Sequence, residues 1–172
     1  MTIFIGQRAK PTTPKIGHGY HGALYSIMGY YDVAANPVAA DTYQLCVIPA
    51  RFLLLCGQLQ AAQIDTNATP TLSVSLGWQD NGDGASLFMD AFGTQWANAA
   101  NGASATGLLA ATVLSGKAVT DVNLAGMSFR NIALPKPLFF PKQTIVQVTA
   151  NVTAATFAAG AMSVILEGNI IG

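Results

Sequence analysis

Strict alternation of apolar and polar residues marks one strand of this chain clearly. Between residues 71 and 78, Leu72, Val74, Leu76 and Trp78 alternate with Thr, Ser and Gly. A period of two places successive side chains on opposite faces of a β-strand. The pattern therefore predicts a half-buried antiparallel strand with one face in the core.

Similar runs predict further strands, separated by turn-forming residues. The predicted strands cover residues 23–31, 43–48, 52–59, 109–114, 119–124, 143–153 and 162–171. The segment at 52–59 is so apolar that both of its faces should be covered. Seven or eight short strands with turns between them predict an all-β protein, a single-domain antiparallel β-sandwich of jelly-roll type.

Two segments depart from the strand pattern. From Ser86, a suitable N-cap, to Gly102, apolar and aromatic residues follow spacings of three and four, which predicts one short helix. Leu138 to Phe140 lies among three prolines, which are excluded from central strands. We therefore expect this aromatic segment to be an ordered loop at a sheet edge.

The N-terminal residues are typical of an extended arm, so we divide the chain into an arm at 1–20 and a sandwich domain at 21–172. Arg8, Lys10 and Lys15 bring three positive charges, and the first acid is Asp32. Prolines and glycines interrupt any regular element there. Such an arm suits contact with a neighbouring subunit or an acidic patch, and a solvated terminus is the alternative. Direct nucleic-acid binding is not expected, because the charges lack interleaved stacking aromatics.

The composition favours a protein that assembles with other subunits over one that acts as a free domain. Charged residues make up 9% of the chain, with eight of each sign, whereas ordinary globular domains carry roughly 25%. In a chain with so few charges, the electrostatic repulsion that keeps monomers apart is weak. We therefore expect a homo-oligomer whose surface is largely covered by copies of itself or by a partner.

Membrane insertion and secretion are not expected. No stretch approaches the roughly 18 consecutive apolar residues that a membrane-spanning helix needs. The first ten residues also lack a basic region followed by an apolar one, so they do not form a signal peptide.

The two cysteines, Cys46 and Cys56, are predicted to be reduced and buried. A disulfide between them would need a hairpin centred on Arg51. Phe52, Leu53 and Leu54 would then have to form its turn, which large apolar residues rarely do.

One acidic segment, Asp80 to Gly84, superficially resembles a calcium loop. Counted from Asp80, however, the third and fifth ligand positions are Gly82 and Gly84, so the match fails. Asn-Gly and Asp-Gly are common tight-turn pairs, and a turn is the favoured interpretation. A weak cation site at Asp80 and Asp83 is the alternative.

The remaining reactive side chains form no catalytic set. His18 and His21 have no neighbouring Cys, Asp or Glu in sequence, and Glu167 is the only glutamate. Nucleophile, phosphate-loop and dinucleotide motifs are absent from the sequence. We therefore predict that the protein is not an enzyme and needs neither a metal nor a cofactor.

Three segments carry a resemblance to a known family. They are Val47 to Phe52 with its P-A-R start, Ile64 to Asn67 with a D-T-N turn, and Thr71 to Gly77. This series resembles the capsid decoration, or cement, proteins of tailed bacteriophages. Residues 143–153 and 161–170 are similar to the closing hairpin of that fold, and the resemblance extends from Tyr43 onward.

The resemblance implies a jelly-roll subunit, often trimeric, that binds the major capsid protein on the capsid surface and clamps neighbouring subunits. It implies a structural virion protein made in the host bacterial cytoplasm, with no catalytic residues. Arg8, Lys10 and Lys15 are then the expected contacts with the capsid or a neighbouring subunit. Other phage components, such as a head-fibre base or a tail protein, are alternatives. So is a carbohydrate-binding jelly roll that uses Tyr30, Trp78 and Trp96.

Overall fold

A computed structural model describes residues 3–8, 24–82, 87–89, 95–99, 102–114, 120–123, 127–128, 131–132 and 138–171. The regular structure in these ranges is β-strand. The strands are β1 (Ile3–Arg8), β2 (Tyr25–Val33), β3 (Thr42–Ile48), β4 (Phe52–Ala61), β5 (Ser73–Trp78), β6 (Leu87–Met89), β7 (Gln95–Ala99), β8 (Ser104–Val113), β9 (Thr120–Asn123), β10 (Met127–Ser128), β11 (Asn131–Ile132), β12 (Leu138–Phe140), β13 (Thr144–Val152) and β14 (Gly160–Ile170). A helix with the length and hydropathy of a membrane span is not found among the described residues.

The strands form two main sheets and one small pair. The five-stranded sheet has the order β1-β3-β13-β5-β8, and the seven-stranded sheet has the order β2-β14-β4-β12-β7-β6, with β9 also paired to β4. β10 and β11 pair only with each other. The described pairings are antiparallel except for β1 with β3 and β12 with β7. The predicted all-β antiparallel sandwich is confirmed.

The core lies between the two sheets and is filled by alternate residues of their central strands. Val146 and Val148 of β13 and Val164 and Leu166 of β14 are fully buried. Aromatic pairs join the sheets at two places. Trp78 of β5 meets Phe140 of β12 edge to face at 5.5 Å between ring centroids, and Tyr31 and Tyr43 lie 5.1 Å apart. Such pairs add to the stabilisation that burial alone provides.

Strand β5 is more deeply buried than its alternating sequence predicted. All six of its residues are buried, including Ser73 and Ser75 on the face expected to meet solvent. Its neighbour β8 is strongly bulged, because a step of two residues in β5, from Leu76 to Trp78, corresponds to a step of five in β8. A Cβ atom at Gly77 would overlap the carbonyl oxygen of Ser104. The glycine therefore lets the bulge lie against β5.

The chain passes from one sheet to the other at Arg51. This residue has a φ of 62°, in the left-handed region, and its carbonyl oxygen accepts a hydrogen bond from the N–H of Ile171 at 2.8 Å. Cys46 and Cys56 consequently lie in different sheets, and both are free and buried. The prediction of two reduced, buried thiols is confirmed.

The helix predicted from Ser86 to Gly102 was wrong for the described part of that stretch. Strands β6 and β7 lie there and pair antiparallel, with Phe88 opposite Ala97. β7 also pairs with β12, so backbone pairing across the sheet overrides a helical spacing of apolar residues. Residues 83–86, 90–94 and 100–101 lie outside the described residues.

The segment Leu138–Phe140 is a strand and not an edge loop. β12 lies between β4 and β7 in the seven-stranded sheet, and Phe140 is fully buried. Prolines interrupt a ladder only where they fall inside it. Pro137 and Pro141 flank this three-residue strand, so the sequence rule did not apply to it.

The first residues of the predicted arm belong to a sheet. Ile3–Arg8 runs parallel to β3 and forms one edge of the five-stranded sheet. Residues 9–23, which include Lys10 and Lys15, lie outside the described residues. The division into an arm at 1–20 and a domain at 21–172 stays a prediction.

One buried carboxylate joins two loops of the sandwich. Asp65 is 1% exposed and accepts hydrogen bonds from the backbone N–H groups of Asn67, Thr71 and Leu72, at 3.1, 2.7 and 3.1 Å. It also accepts bonds from Ala155 and Thr156, at 3.0 and 3.2 Å. The carboxylate thus holds residues 71–72, which lead into β5, beside the connection between β13 and β14.

The same bonds control the ionisation of Asp65. Burial opposes the charged form, but the backbone N–H groups of Thr71, Leu72, Ala155 and Asn67 outweigh it, so the pKa of Asp65 lies well below its usual range. A carboxylate that accepts several backbone hydrogen bonds is strongly favoured over its protonated form. The D-T-N segment is therefore a structural clamp.

We expect Gly29→Ala to destabilise the sandwich. A Cβ atom at Gly29 would overlap the carbonyl group of Leu45 in the opposite sheet, and overpacking of this kind costs about 1 to 3 kcal/mol. Urea denaturation followed by tryptophan fluorescence measures the change. Ser26→Ala, on the exposed face of the same strand, is the control and should shift the free energy of unfolding by about 0.5 kcal/mol or less. Equal stability of the two variants would contradict the close approach of the sheets.

We expect Asp65→Asn to lower the free energy of unfolding at pH 7 by about 2 to 4 kcal/mol, because an amide NH₂ group would face backbone N–H donors. Since folding lowers the pKa of Asp65, its stabilisation is present above the unfolded-state pKa and is lost as pH falls below about 4. Denaturation between pH 2 and pH 7 should therefore show a smaller acid-dependent loss in Asp65→Asn than in the native chain. Asp80→Asn, with a carboxylate in an exposed turn, should behave like the native chain. Parallel pH profiles for the native chain and Asp65→Asn would argue against the clamp.

Candidate functional site

The strongest candidate site is a surface of the seven-stranded sheet that faces away from the core. We call it the outer β2 face. It comprises Ser26, Met28, Tyr30 and Asp32 of β2, Ser163, Ile165 and Glu167 of β14, and Cys56, Gln58 and Gln60 of β4. Strand register arranges these residues in rows, because residues paired across strands share a face. One row joins Met28, Ile165 and Gln58, and the next joins Tyr30, Ser163 and Gln60.

Apolar side chains are exposed in the centre of this face. Met28 is 50% exposed and Tyr30 is 39% exposed, while Ile165 between the strands is half-buried. Single exposed apolar residues are ordinary on protein surfaces. Two of them on one edge strand, beside a third in the next strand, make a patch that suits contact with another chain.

The charged groups of the outer β2 face are carboxylates. Asp32 lies near one end, where it pairs with Ala161, and Glu167 lies in the row of Ser26 and Cys56. Lys and Arg do not occur in the described rows, so the face combines an apolar centre with acidic ends.

A thiol and a carboxylate meet within this face. The Cys56 Sγ atom donates to Glu167 Oε2 at 3.6 Å. Burial raises the pKa of Cys56, and the nearby Glu167 carboxylate raises it further by its charge and hydrogen bond. In the opposite sheet, burial raises the pKa of Cys46 to about 12. Both thiols therefore stay protonated near neutral pH, and neither is activated as a nucleophile.

The acidic segment at Asp80 forms the turn that its sequence predicted, as far as it is described. Asp80 Oδ1 accepts a hydrogen bond from the N–H of Gly82 at 2.8 Å, and Gly82 has a φ of 69°. Lys142 Nζ donates to the carbonyl oxygen of Gly82 at 2.9 Å. Asp83 lies outside the described residues. A group of three or more His, Cys, Asp or Glu side chains able to hold a metal is not present in the described ranges.

The structure does not bring the predicted contact residues into one site. Arg8 ends β1 and pairs in register with Cys46, whereas Lys10 and Lys15 lie outside the described residues, as do His18 and His21. Their role as contacts stays a prediction. Among the aromatics considered for sugar stacking, Trp78 is 6% exposed and belongs to the core, while Tyr30 is exposed. Nothing is described for the side chain of Trp96.

The outer β2 face was not predicted from the sequence. Tyr25, Ile27 and Tyr31 form the inward side of β2, since Ile27 is buried and the other two are half-buried. The available signal was on the opposite face of the same strand. Met28 and Tyr30 occupy positions where an ordinary half-exposed strand carries polar residues.

Comparison with known proteins bears on the fold. No family model matches the sequence, and no curated protein matches it either. Among solved structures, the chain is similar to a chain from the capsid of Ralstonia phage GP4, with 18% sequence identity, a TM-score of 0.69 and coverage of 99% of both chains. A chain from the capsid asymmetric unit of cyanophage Pam1 matches with 22% identity, a TM-score of 0.49 and coverage of 95% of this chain and 96% of that one. The first likeness shows that this chain has, over nearly its whole length, the fold of the Ralstonia phage GP4 chain.

Proposed function

We propose that this chain is a structural protein of a bacteriophage virion, which decorates the capsid and stabilises it by binding between capsid subunits. The observation that carries the proposal is the likeness in fold to a chain of a phage capsid, which spans 99% of both chains. The low charge of the sequence supports it independently, because a chain with 9% charged residues and no net charge suits contact with other subunits more than free diffusion.

The strand order supports a jelly-roll assignment. β14 lies between β2 and β4 in one sheet, and β13 lies between β3 and β5 in the other. Strands from the end of the chain thus fill the gaps between strands from its first half, as Greek-key connections require. The pattern gives a rigid body with loops at its two ends and broad sheet faces that are available for contact.

The proposed mechanism is attachment by surfaces, with no chemical step. Each contact with the shell is weak, and repetition around a symmetric oligomer supplies the avidity. Arg8, Lys10 and Lys15 supply basic contacts with the capsid or with a neighbouring subunit, and the major capsid protein is the partner. A base for a head fibre or a tail component would use the same surfaces at a different place in the virion. The burial of Trp78 removes one of the three aromatics on which a sugar-binding role would rest.

We expect the purified chain to be a homotrimer with three times the subunit mass of 17.8 kDa. The low charge favours closed self-association that covers exposed apolar patches, and the number three is what the family resemblance implies. Sedimentation equilibrium at micromolar concentration measures the mass directly. A monodisperse monomer in ordinary buffer would remove the compositional argument for assembly.

We expect the chain to co-sediment with undecorated capsid shells of the phage that encodes it, up to a fixed number of copies per shell. The variant Lys10→Ala/Lys15→Ala should bind more weakly, and its remaining binding should depend less on salt because charged contacts are gone. Lys142→Ala, which removes a lysine from the turn at Gly82, is the control and should bind like the native chain. Recovery of the chain in the tail fraction of virions, or no saturable binding to shells, would count against capsid decoration.

A further inference from the structure

We infer that Asn81 is a site of spontaneous deamidation, which converts it to aspartate and isoaspartate in the folded protein. The reacting groups are the side-chain amide of Asn81 and the backbone nitrogen of Gly82, and the co-reactant is water. Thr144 controls the rate, because its hydroxyl holds the amide in one orientation. The chemistry is the same whether or not the chain binds a capsid.

The turn that contains Asn81 is open to solvent and to backbone movement. Asp80 and Gly82 are exposed, and Asn81 is half-buried. Gly82 has a φ of 69°. Among the described residues, apart from its chain neighbours, no atom lies within 4 Å of the position that a Cβ at Gly82 would take. A glycine in open space lets its backbone nitrogen approach a neighbouring side-chain carbon that a larger residue would shield.

The reaction needs neither an oxidant nor a catalytic group. The Gly82 nitrogen attacks the Asn81 Cγ atom and gives up its proton to solvent. The bond from Cγ to Nδ2 breaks, the amide nitrogen takes up a proton from solvent, and ammonia leaves a cyclic succinimide. Water then adds to one of the carbonyl carbons of the ring and breaks the bond from that carbon to the ring nitrogen. Opening at Cγ gives aspartate, and opening at the main-chain carbon gives isoaspartate. Asparagine is among the thermolabile residues of proteins.

The hydrogen bond from Asn81 to Thr144 opposes the first step. Asn81 Nδ2 donates to Thr144 Oγ1 at 3.1 Å. Thr144 is 1% exposed at the start of β13, and its hydroxyl donates to the carbonyl oxygen of Lys142 at 2.8 Å. The position of the hydroxyl is therefore fixed. The Asn81 amide has to give up this bond before its Cγ atom can turn towards Gly82.

The attacking nitrogen is restrained by Asp80. The N–H of Gly82 donates to Asp80 Oδ1 at 2.8 Å. Removal of that proton would place negative charge beside a carboxylate, which is unfavourable. The bonds to Thr144 and Asp80 therefore slow the reaction in the folded turn, relative to an unfolded chain in which both bonds are absent.

Conversion would detach the turn from β13. A carboxylate at position 81 has no N–H to donate to Thr144. The Thr144 hydroxyl has a single proton, which already goes to Lys142. The conversion also changes a chain with eight acids and eight bases into one with nine acids and eight bases. We therefore expect the aged protein to be a more acidic form in which this turn is held less firmly.

The test is incubation of the full chain in neutral buffer at physiological temperature, followed by mass spectrometry of its proteolytic peptides. The peptides distinguish Asn81 from Asn101, which also precedes a glycine. The folded native chain should convert at Asn81, more slowly than the same chain in urea. Asn81→Gln should not convert at this position over the same time, because its amide would have to close a larger ring. An unchanged Asn81 in the folded chain, at a time when the chain in urea has converted, would overturn the inference.

Variants of Thr144 test the control of the rate. Thr144→Val removes the hydroxyl and keeps the branched shape, and it should convert about fivefold faster, which corresponds to the net strength of one hydrogen bond. Thr144→Ser keeps the hydroxyl and should convert like the native chain. Thr149→Val makes the same exchange elsewhere in β13, at a buried hydroxyl without a hydrogen-bond partner among the described residues, and should leave the rate unchanged.

Circular dichroism confirms that each variant is folded before its rate is compared. Equal rates in folded Thr144→Val and Thr144→Ser would overturn the assignment of Thr144 as the residue that controls the rate. If Thr144→Val does not fold, the comparison of the native chain with and without urea still decides whether Asn81 converts in the folded protein.

Discussion

Both sheets of this protein depend on its last two strands, which pair with strands from the first half of the chain. β13 lies between β3 and β5, and β14 lies between β2 and β4. Without β13 and β14, neither β3 and β5 nor β2 and β4 would be hydrogen-bonded into one sheet. Asp65 reinforces the arrangement, because it holds the connection between β13 and β14 against the approach to β5. Contacts of such large sequence separation make folding cooperative and slow to begin.

The strands with a clear period of two could be predicted from the sequence, and their bounds agree with the structure to within a few residues. Residues 143–153, for instance, became β13 at Thr144–Val152. The strands between Ser86 and Gly102 could not be predicted, because local spacing does not show the pairing of β7 with the distant strand β12. The prediction of a loop at Leu138–Phe140 was wrong for a related reason. The prolines flank the paired residues, and only the register of the strands shows where the pairing ends.

The outer β2 face could not be predicted because both sides of β2 carry apolar or aromatic residues. Tyr25, Ile27 and Tyr31 alternate with Met28 and Tyr30, so the sequence does not indicate which side meets the opposite sheet. Gly29 decides it structurally, since only a residue without a Cβ fits against Leu45 and Cys46. The side of β2 that carries the glycine turns inward, and Met28 and Tyr30 are left outside.

The structure of the sheet edges affects how copies of this chain can assemble. An exposed, regular strand edge pairs with another edge and extends without limit into fibres. In the five-stranded sheet, the edge strand β8 is bulged, and its broken register opposes regular pairing with a further strand. Copies of a chain without net charge that meet through faces related by rotation symmetry form an assembly with a fixed number of subunits.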